Sequence, residues 1–306
     1  MSSAAALPKL ALGAVSKLDA LATLNTEWAP WLKVVREVIP ELSHPSWDTH
    51  PPYRVADTGL SPQLANAVLC PDGPAVARLL TRLIAAARAQ GLVELAGPDH
   101  RTPATPVDEA LEVFLASVNG DDTALDRQAS RAGATPEGWR ALAQLLSMPY
   151  LSACERRWAA GPRPTWSQGF CPVCGAWPAF AEVHGIEHAR HLRCGRCGAG
   201  WPMPALVCTY CATADHDALG SLVVDDKTAR WSVDVCRICS GYLKSFTTLQ
   251  PTPSCEILVT DLASVEFDLA AFERGFLRPQ AHGVPIGASL AAANPVHPAA
   301  PERWWS

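Results

Sequence analysis

Apolar residues in the first half of the chain recur at the three- and four-residue spacing of an amphipathic helix. The pattern is clearest between residues 74 and 90, where arginines occupy the opposite face and Gly91 follows as a stop signal. Residues 105–120 and the segment from residue 135 onward predict two more helices, because each opens with Thr-Pro, a capping residue followed by a first-turn proline. Residues 20–42 predict another helix. The apolar positions of the clearest pattern are Val76, Leu79, Leu80, Leu83, Ile84 and Ala87.

The pattern changes at residues 161–170, "GPRPTWSQGF", where proline and glycine accumulate and helical periodicity stops. Beyond this hinge, residues 231–235 alternate between apolar and polar side chains, which is typical of a strand. A helical period returns after residue 255, with Asp261 as a candidate cap and Gly275 as a candidate stop. The apolar stripe of that predicted helix is Leu262, Val265, Leu269, Phe272 and Phe276.

Eight of the eleven cysteines lie in four Cys-x-x-Cys pairs, which we number clips 1 to 4 in chain order. Each clip aims two sulfur atoms to one side of a tight turn, so that two clips can surround one tetrahedral metal ion. The sequence therefore predicts two metal sites. The clips are Cys171 and Cys174, Cys194 and Cys197, Cys208 and Cys211, and Cys236 and Cys239.

The spacing between clips favours one pairing over another. Nineteen residues separate clip 1 from clip 2 and twenty-four separate clip 3 from clip 4, whereas only ten lie between clips 2 and 3. The first gap has the length of a hairpin in a zinc or rubredoxin-type module, so we predict that clip 1 pairs with clip 2 and clip 3 with clip 4. A cross-braced arrangement, clip 1 with clip 3, is the alternative.

The ligand type suits zinc or a single iron ion and does not distinguish between them. A redox dithiol at each clip is a further alternative, which four regularly spaced clips make less attractive. Glycine follows the second cysteine of clips 1 and 2, at Gly175 and Gly198, but Ala212 and Ser240 stand in its place in clips 3 and 4. Because glycine tolerates positive φ, we expect less regular turns at the second site.

Composition and charge narrow the class of protein. With 306 residues, 48% hydrophobic and 18% charged, the chain is globular, and no apolar run approaches the ~18 residues that span a bilayer. Lys9, Lys17 and Asp19 interrupt the N-terminal apolar segment, so we expect a soluble cytoplasmic protein. A reducing cytosol favours metal thiolates over disulfides.

The net charge argues against a nucleic-acid partner. The formal charge is −5, and four thiolates around each divalent ion add −2 per site, which gives about −9 with both ions bound. Phosphate backbones are bound by basic surfaces, so a zinc-ribbon nucleic-acid binder is a weak alternative.

The remaining candidate residues have simpler explanations. Cys70, Cys154 and Cys255 lie in apolar sequence, where a free cysteine packs as a small hydrophobe. His184, His188 and His191 fall between clips whose ligand sets are complete, so we expect surface or turn roles for them. We expect the same of the polar group His216, Asp217, Asp225 and Asp226. The sequence has no phosphate-binding loop, serine elbow or dinucleotide fingerprint, and we predict no catalytic residues.

Together, the four clips and the segment after them resemble the FdhE family of formate dehydrogenase accessory proteins. The resemblance covers residues 160–280 and is carried by "WSQGFCPVCGAWP", "RHLRCGRCGAGW", "CTYC", "CRICSGYLK" and "TDLASVEFDLAAFERGF". It implies a cytoplasmic maturation factor or chaperone, not an enzyme, whose partner is the catalytic subunit of formate dehydrogenase. It implies iron or zinc held by the eight clip cysteines. A homodimer is left open, and a rubredoxin-like iron electron carrier is the leading alternative function.

The expected fold class is α+β, a mostly helical N-terminal domain followed by two rubredoxin-like four-cysteine metal modules and a C-terminal helix. The expected divisions are a helical domain over residues 1–160, modules over 161–205 and 206–250, a strand and helix over 251–285, and a flexible tail over 286–306.

Overall fold

The computed structural model describes residues 9–48, 52–54, 61–98, 104–161, 165–223 and 230–291. Asp225 and Asp226 lie outside these described residues, as does the tail from residue 292 onward with Trp304 and Trp305. No helix in the described part of the chain is long and apolar enough to cross a membrane.

Seven helices in the described part of the chain precede the clips and two follow them. The helix predicted between residues 74 and 90 is α3, and its apolar positions are buried apart from the half-buried Ile84. The helix from residue 135 begins as predicted, because the hydroxyl of Thr135 accepts a hydrogen bond from the backbone N–H of Gly138. The helices are α1 (Lys9–Leu24), α2 (Ala29–Arg36), α3 (Gly73–Ala89), α4 (Val93–Ala96), α5 (Val107–Asn119), α6 (Asp122–Ala132), α7 (Pro136–Ala159), α8 (Ile257–Ala263) and α9 (Val265–Phe272).

The long helix α7 forms the centre of the helical part. It packs against α3, α4, α5 and α6, and it is apolar around much of its circumference, so most of its residues are buried. Tyr150 stacks edge-on against Phe114 of α5, with ring centroids 5.5 Å apart. A helix that is covered on all sides is the expected core of a bundle.

The second half of the chain contributes one six-stranded sheet in the order β5-β4-β3-β8-β7-β6. Its neighbouring strands are antiparallel except β3 and β8, which pair in parallel with Phe180 opposite Lys244. The sheet and the helices confirm the α+β fold class. The strands in the described residues are β1 (Tyr53–Arg54), β2 (Ala67–Leu69), β3 (Pro178–His184), β4 (Ala189–Cys194), β5 (Gly200–Pro202), β6 (Leu219–Val223), β7 (Trp231–Cys236), β8 (Tyr242–Thr248) and β9 (Ser289–Leu290).

The six-stranded sheet consists of two units with the same order of elements. In the first unit clip 1 leads into the hairpin β3–β4, which ends in clip 2 and continues as β5. In the second unit clip 3 leads into β6–β7, which ends in clip 4 and continues as β8. The strands of both units share one continuous sheet, and the division of this region into separate domains stays a prediction.

The segment after residue 255 forms two short helices rather than the one predicted. The break lies at Ser264, whose hydroxyl donates to the backbone carbonyls of Thr260 and Asp261. The break changes the face that packs on the sheet, so Phe267 and Ala271 pack there together with Phe276 from the predicted stripe. Two members of that stripe, Leu269 and Phe272, are 56% and 66% exposed. The prediction of a single buried stripe is therefore wrong.

Residues 277–290, which we call the strap, cross the molecule from the second unit to the helical part. Leu277 donates its N–H to the carbonyl of Ser240, just after clip 4, at 2.8 Å. Val284 donates to Gly175, just after clip 1, at 2.9 Å. The end of the strap is β9, which pairs in parallel with β2. Ile286 and Ala288 are buried, although the sequence pattern assigns them to the tail.

Asp261 does not cap a helix but belongs to a buried group of charges. Lys244, in the middle of the sheet, is fully buried and lies 2.7 Å from an Asp261 oxygen and 2.8 Å from an Asp268 oxygen. Arg278, in the strap, pairs with the same two carboxylates at 3.2 and 2.9 Å. The two positive charges outweigh the effect of burial and hold the pKa of Asp261 below its usual value. This group fixes α8, α9 and the strap to the sheet.

Candidate metal centres

The sulfur atoms of clips 1 and 2 converge on one point. All four lie within 4.8 Å of one another, and the distances from Cys171 to Cys197 and from Cys174 to Cys194 are both 3.5 Å. Each of these cysteines is at most 2% exposed. We call this the first centre.

The sulfur atoms of clips 3 and 4 converge in the same way. They also lie within 4.8 Å of one another, with 3.7 Å from Cys208 to Cys239 and 3.7 Å from Cys211 to Cys236. We call this the second centre. Unlike the first, it has two exposed members, Cys211 and Cys239.

One hydrogen-bonded turn recurs in clips 1, 2 and 3. The carbonyl of Cys171 accepts from the N–H of Gly175, and Cys208 accepts from Ala212 in the same position. The residue after the second cysteine has positive φ in all four clips, 71° and 84° at Gly175 and Gly198, and 58° and 54° at Ala212 and Ser240. The left-handed conformation thus recurs at the second centre, but among the described contacts the hydrogen bond of the turn recurs there at clip 3 and not at clip 4. Alanine and serine adopt the conformation that glycine adopts at the first centre.

The donor set fits a tetrahedral divalent ion. A disulfide joins its sulfur atoms at about 2.05 Å, so separations of 3.5 to 3.7 Å exclude paired cysteines at both centres. Four sulfur atoms about 2.3 Å from a central zinc ion lie about 3.8 Å apart, close to these separations. The two four-cysteine groups can thus hold two tetrahedral metal ions, and their geometry is compatible with zinc and with iron.

The surroundings of the first centre favour deprotonation of one sulfur, that of Cys194, and oppose it at Cys171. Burial raises the pKa of the Cys171 thiol well above its usual value. At Cys194 burial acts in the same direction, but hydrogen bonds from the three neighbouring thiols outweigh it and lower the pKa of that thiol. Backbone N–H groups of Arg196 and Cys197 also point at the Cys194 sulfur, at 3.4 and 3.5 Å. A metal ion completes this arrangement by replacing the thiol protons.

The structure brings together the groups that the sequence pairs, clip 1 with clip 2 and clip 3 with clip 4, and not the cross-braced set. Ligation of metal by these eight cysteines stays a prediction.

The histidines and the other cysteines join no such cluster in the described part of the chain. His184 and His191 stack against each other with centroids 4.5 Å apart, and His184 also contacts the buried carboxylate of Glu182 at 2.8 Å. His188 lies in the hairpin turn with φ 51°. Cys154 and Cys255 are buried and Cys70 is half-buried.

Sequence patterns did not reveal the cleft between the two centres and α7. It has a volume of about 320 Å³ and is lined by parts of α7, clips 2 and 3, α8 and the strap. Trp177 and Tyr210 meet edge to face at its wall, 5.3 Å apart, and Arg196 and Arg278 line it as well. Trp177 and Tyr210 stand directly after clip 1 and inside clip 3, so their proximity depends on how the two units pair.

Comparison with known proteins points to one family. No family model matches the chain. It is 34% identical over 120 residues to an FdhE homologue of Pseudomonas aeruginosa, 32% identical over 110 residues to one of Haemophilus influenzae (strain PittEE), and 29% identical over 119 residues to one of Aquifex aeolicus. These matches cover 37%, 35% and 37% of this chain, and 38%, 35% and 40% of the relatives. The matched segment thus spans little more than a third of each relative.

The fold is similar over a much longer stretch. The crystal structure of the FdhE protein from Pseudomonas aeruginosa matches 92% of this chain and 98% of that protein with a TM-score of 0.53, at 19% sequence identity. At this identity the likeness concerns the fold.

Proposed function

Since the chain belongs to the FdhE family, we propose that it is a cytoplasmic accessory protein for the maturation of formate dehydrogenase and that it binds the catalytic subunit of that enzyme. The sequence matches to FdhE homologues and the likeness in fold support this proposal. The protein acts, on this proposal, as a binding protein and not as an enzyme.

The observation that carries the proposal is the completeness of the two centres. Each has four cysteine sulfurs, enough to fill the four positions of a tetrahedral ion, whereas hydrolytic zinc enzymes use three protein ligands and keep the fourth position for water. Centres of this type stabilise the polypeptide around them and so define the shape of a binding surface.

The cleft between the centres is the surface we assign to the client. The cleft is lined by Trp177, Tyr210, Arg196 and Arg278. These three residue types are the ones most enriched in the hot spots of protein interfaces. The overall negative charge would also favour a basic segment on the client and would speed encounter with it.

The experiment combines complementation with capture of the client. In a strain whose copy of the gene is deleted, we expect formate-dependent dye reduction to be lost while the catalytic subunit is still synthesised. The wild-type gene and a Cys70→Ser control should restore activity, whereas Cys171→Ser should not. The purified protein should capture the catalytic subunit under reducing, anaerobic conditions. Full activity in the deletion strain, or capture of nucleic acid instead of the subunit, would exclude the proposal.

One observation favours a second candidate, a rubredoxin-like electron carrier. Such a protein needs iron close to solvent, and the second centre has two exposed cysteines, Cys211 and Cys239. Anaerobic isolation followed by a visible spectrum distinguishes the two, because ferric iron in four thiolates absorbs strongly and zinc does not. A zinc-loaded protein that complements the deletion would exclude electron transfer.

A further inference from the structure

The two centres differ in what covers the turns that hold their ligands. At the first centre, the turn at Gly175 packs under the strap. A Cβ atom added at this position would lie 3.0 Å from methyl groups of Val284 and Ile286. The turn at Gly198 packs under Ser254, whose Cβ would be 2.7 Å from an added Cβ. Both turns of the first centre are thus closed by other parts of the chain.

The helical part closes the remaining side of the first centre. The N–H groups of Gln63 and Leu64 donate to the carbonyls of Pro172 and Val173, the two residues inside clip 1, at 2.7 and 3.0 Å. Inside clip 2, Arg196 donates from its guanidinium to the carbonyl of Ser117 in α5 at 2.7 Å. Hydrogen bonds from other elements therefore hold both clips in place.

The corresponding turns of the second centre face solvent. Ala212 and Ser240 are exposed, together with the preceding cysteines, Cys211 and Cys239, and Ile238 inside clip 4 is 60% exposed. The backbone still adopts the positive φ of the first centre. A side chain can extend from this conformation because both residues are exposed, although Leu277 of the strap bonds the carbonyl of Ser240.

Exposure of one sulfur from each clip matters for ligand exchange. An incoming soft donor must approach the sulfur that it replaces, and thiol reactivity follows access to solvent. Cys211 belongs to clip 3 and Cys239 to clip 4, so replacing these two would release one end of each clip. At the first centre all four sulfurs are shielded.

We propose that the second centre is the protein's exchangeable metal site, open to external thiol or chelating ligands at Cys211 and Cys239, and that the first centre holds its ion as a fixed part of the fold. In each exchange step the bond from the ion to a cysteine sulfur is replaced by a bond to the incoming ligand. When that ligand is a thiol, its proton passes to the released thiolate, and no electron is transferred. The inference does not depend on the client of the protein.

The direct test uses the full chain loaded with two equivalents of zinc. A colorimetric chelator, 4-(2-pyridylazo)resorcinol, reports the release of zinc, and iodoacetamide added at each time point labels cysteines as they become free. We expect one of the two equivalents to leave in a fast phase, in which the only clip cysteines alkylated are Cys208, Cys211, Cys236 and Cys239. The second equivalent should leave in a separate slow phase with labelling of clips 1 and 2. Release of both equivalents in a single phase, or labelling of clips 1 and 2 in the fast phase, would overturn the proposal.

Two variants test the physical cause. Cys211→Ser combined with Cys239→Ser should abolish the fast phase and leave one equivalent that is released at the wild-type slow rate. Gly283→Ala should accelerate the slow phase alone, because a Cβ at that position would collide with the carbonyl oxygen of Gly175 and push the strap off clip 1. Acceleration of the fast phase by Gly283→Ala, with the slow phase unchanged, would show that the strap does not protect the first centre.

Discussion

At the scale of single residues, the position after the second cysteine of each clip determines how closely the chain can pack around a centre. Gly175 at φ 71° and Ala212 at φ 58° adopt the same left-handed turn, but only Gly175 lies beneath another segment. Positive φ alone would favour glycine at both positions. The strap covers Gly175 and leaves no space for a side chain there, whereas Ala212 is uncovered and can carry one.

This difference predicts opposite outcomes for a matched pair of substitutions. Gly175→Ala should lower the free energy of unfolding by about 1–3 kcal/mol, because it adds left-handed strain and a steric conflict with the strap. Ala212→Gly should leave stability within about 1 kcal/mol of wild type, since it relieves strain but loosens the unfolded chain. Urea titration of the metal-loaded proteins measures both. Equal losses from the two changes would show that the strap exerts no steric pressure at Gly175.

The buried lysine yields the second prediction at this scale. Lys244→Met keeps the volume of the side chain but removes one of the two positive charges that pair with Asp261 and Asp268. Arg278 remains as a charged partner, and the Tyr242 hydroxyl still donates to Asp268. Breaking a buried pair in this way typically costs about 3–5 kcal/mol. Arg274→Ala, which removes an exposed arginine from the same region, is the control and should change stability by no more than about 0.5 kcal/mol. A Lys244→Met protein as stable as the control would mean that Arg278 alone neutralises both carboxylates.

At the scale of elements, local patterns predicted most of what depends on nearby residues. The helices α3, α5 and α7 followed from periodicity, and the two centres followed from the spacing of the clips. The predicted cap is present at Thr135 of α7, whereas α5 begins after Pro106 without a side-chain cap from Thr105. The strap did not, because it has no periodicity of its own and its hydrogen bonds are made to residues far away in sequence, such as Val284 to Gly175. The break at Ser264 also depends on tertiary contacts, since Lys244 and Arg278 draw Asp261 towards the sheet.

A substitution in the strap tests whether its hydrogen bonds to clip 1 protect the backbone from exchange. Gly283→Ala should expose the backbone N–H groups of Trp177 and Val284, which bond across the strap and clip 1, and should accelerate their hydrogen exchange. Gly185→Ala is the control, because no atom lies within 4 Å of the added Cβ and the strain from its φ of 60° is confined to the turn between β3 and β4. Exchange measured by mass spectrometry should remain unchanged near clip 4 in both variants. Faster exchange near clip 4 as well would show that the strap moves as one rigid segment.

At the scale of the whole molecule, the first unit packs into the same core as the helices, whereas the second unit has a small core of its own. Buried Cys171, Cys194 and Trp201 belong to the large cluster with α7, while Val233, Val235 and Tyr242 form a separate one with Ala271. The two units therefore depend on their ions to different degrees.

Removing the ligands of one centre tests this dependence. In the variant Cys171→Ser with Cys174→Ser we expect one equivalent of metal to be lost and the second centre to remain occupied, since no cysteine is shared between the centres. Metal analysis gives the stoichiometry, and X-ray absorption should show sulfur alone around the remaining ion. Removing both ions should unfold the sheet before α3 and α7, which circular dichroism resolves as early loss of strand signal. Loss of both ions from the double variant would indicate that the shared sheet couples the centres.

The parallel joint between β3 and β8 connects the first strand of one unit to the last strand of the other. Such a head-to-tail pairing does not form a closed, symmetric sheet. Each outer strand is therefore equivalent to a strand that pairs at the centre: β5 occupies the position in its unit that β8 occupies in the other, and β6 the position of β3. The same strand pairing could add further units at the edges of the sheet, and two units are the smallest assembly of this kind. At the β5 edge the strand is three residues long and carries Pro202, which has no N–H to offer a neighbour. The five-residue β6 carries no proline. Growth by strand addition is thereby blocked at one edge of the sheet and left open at the other.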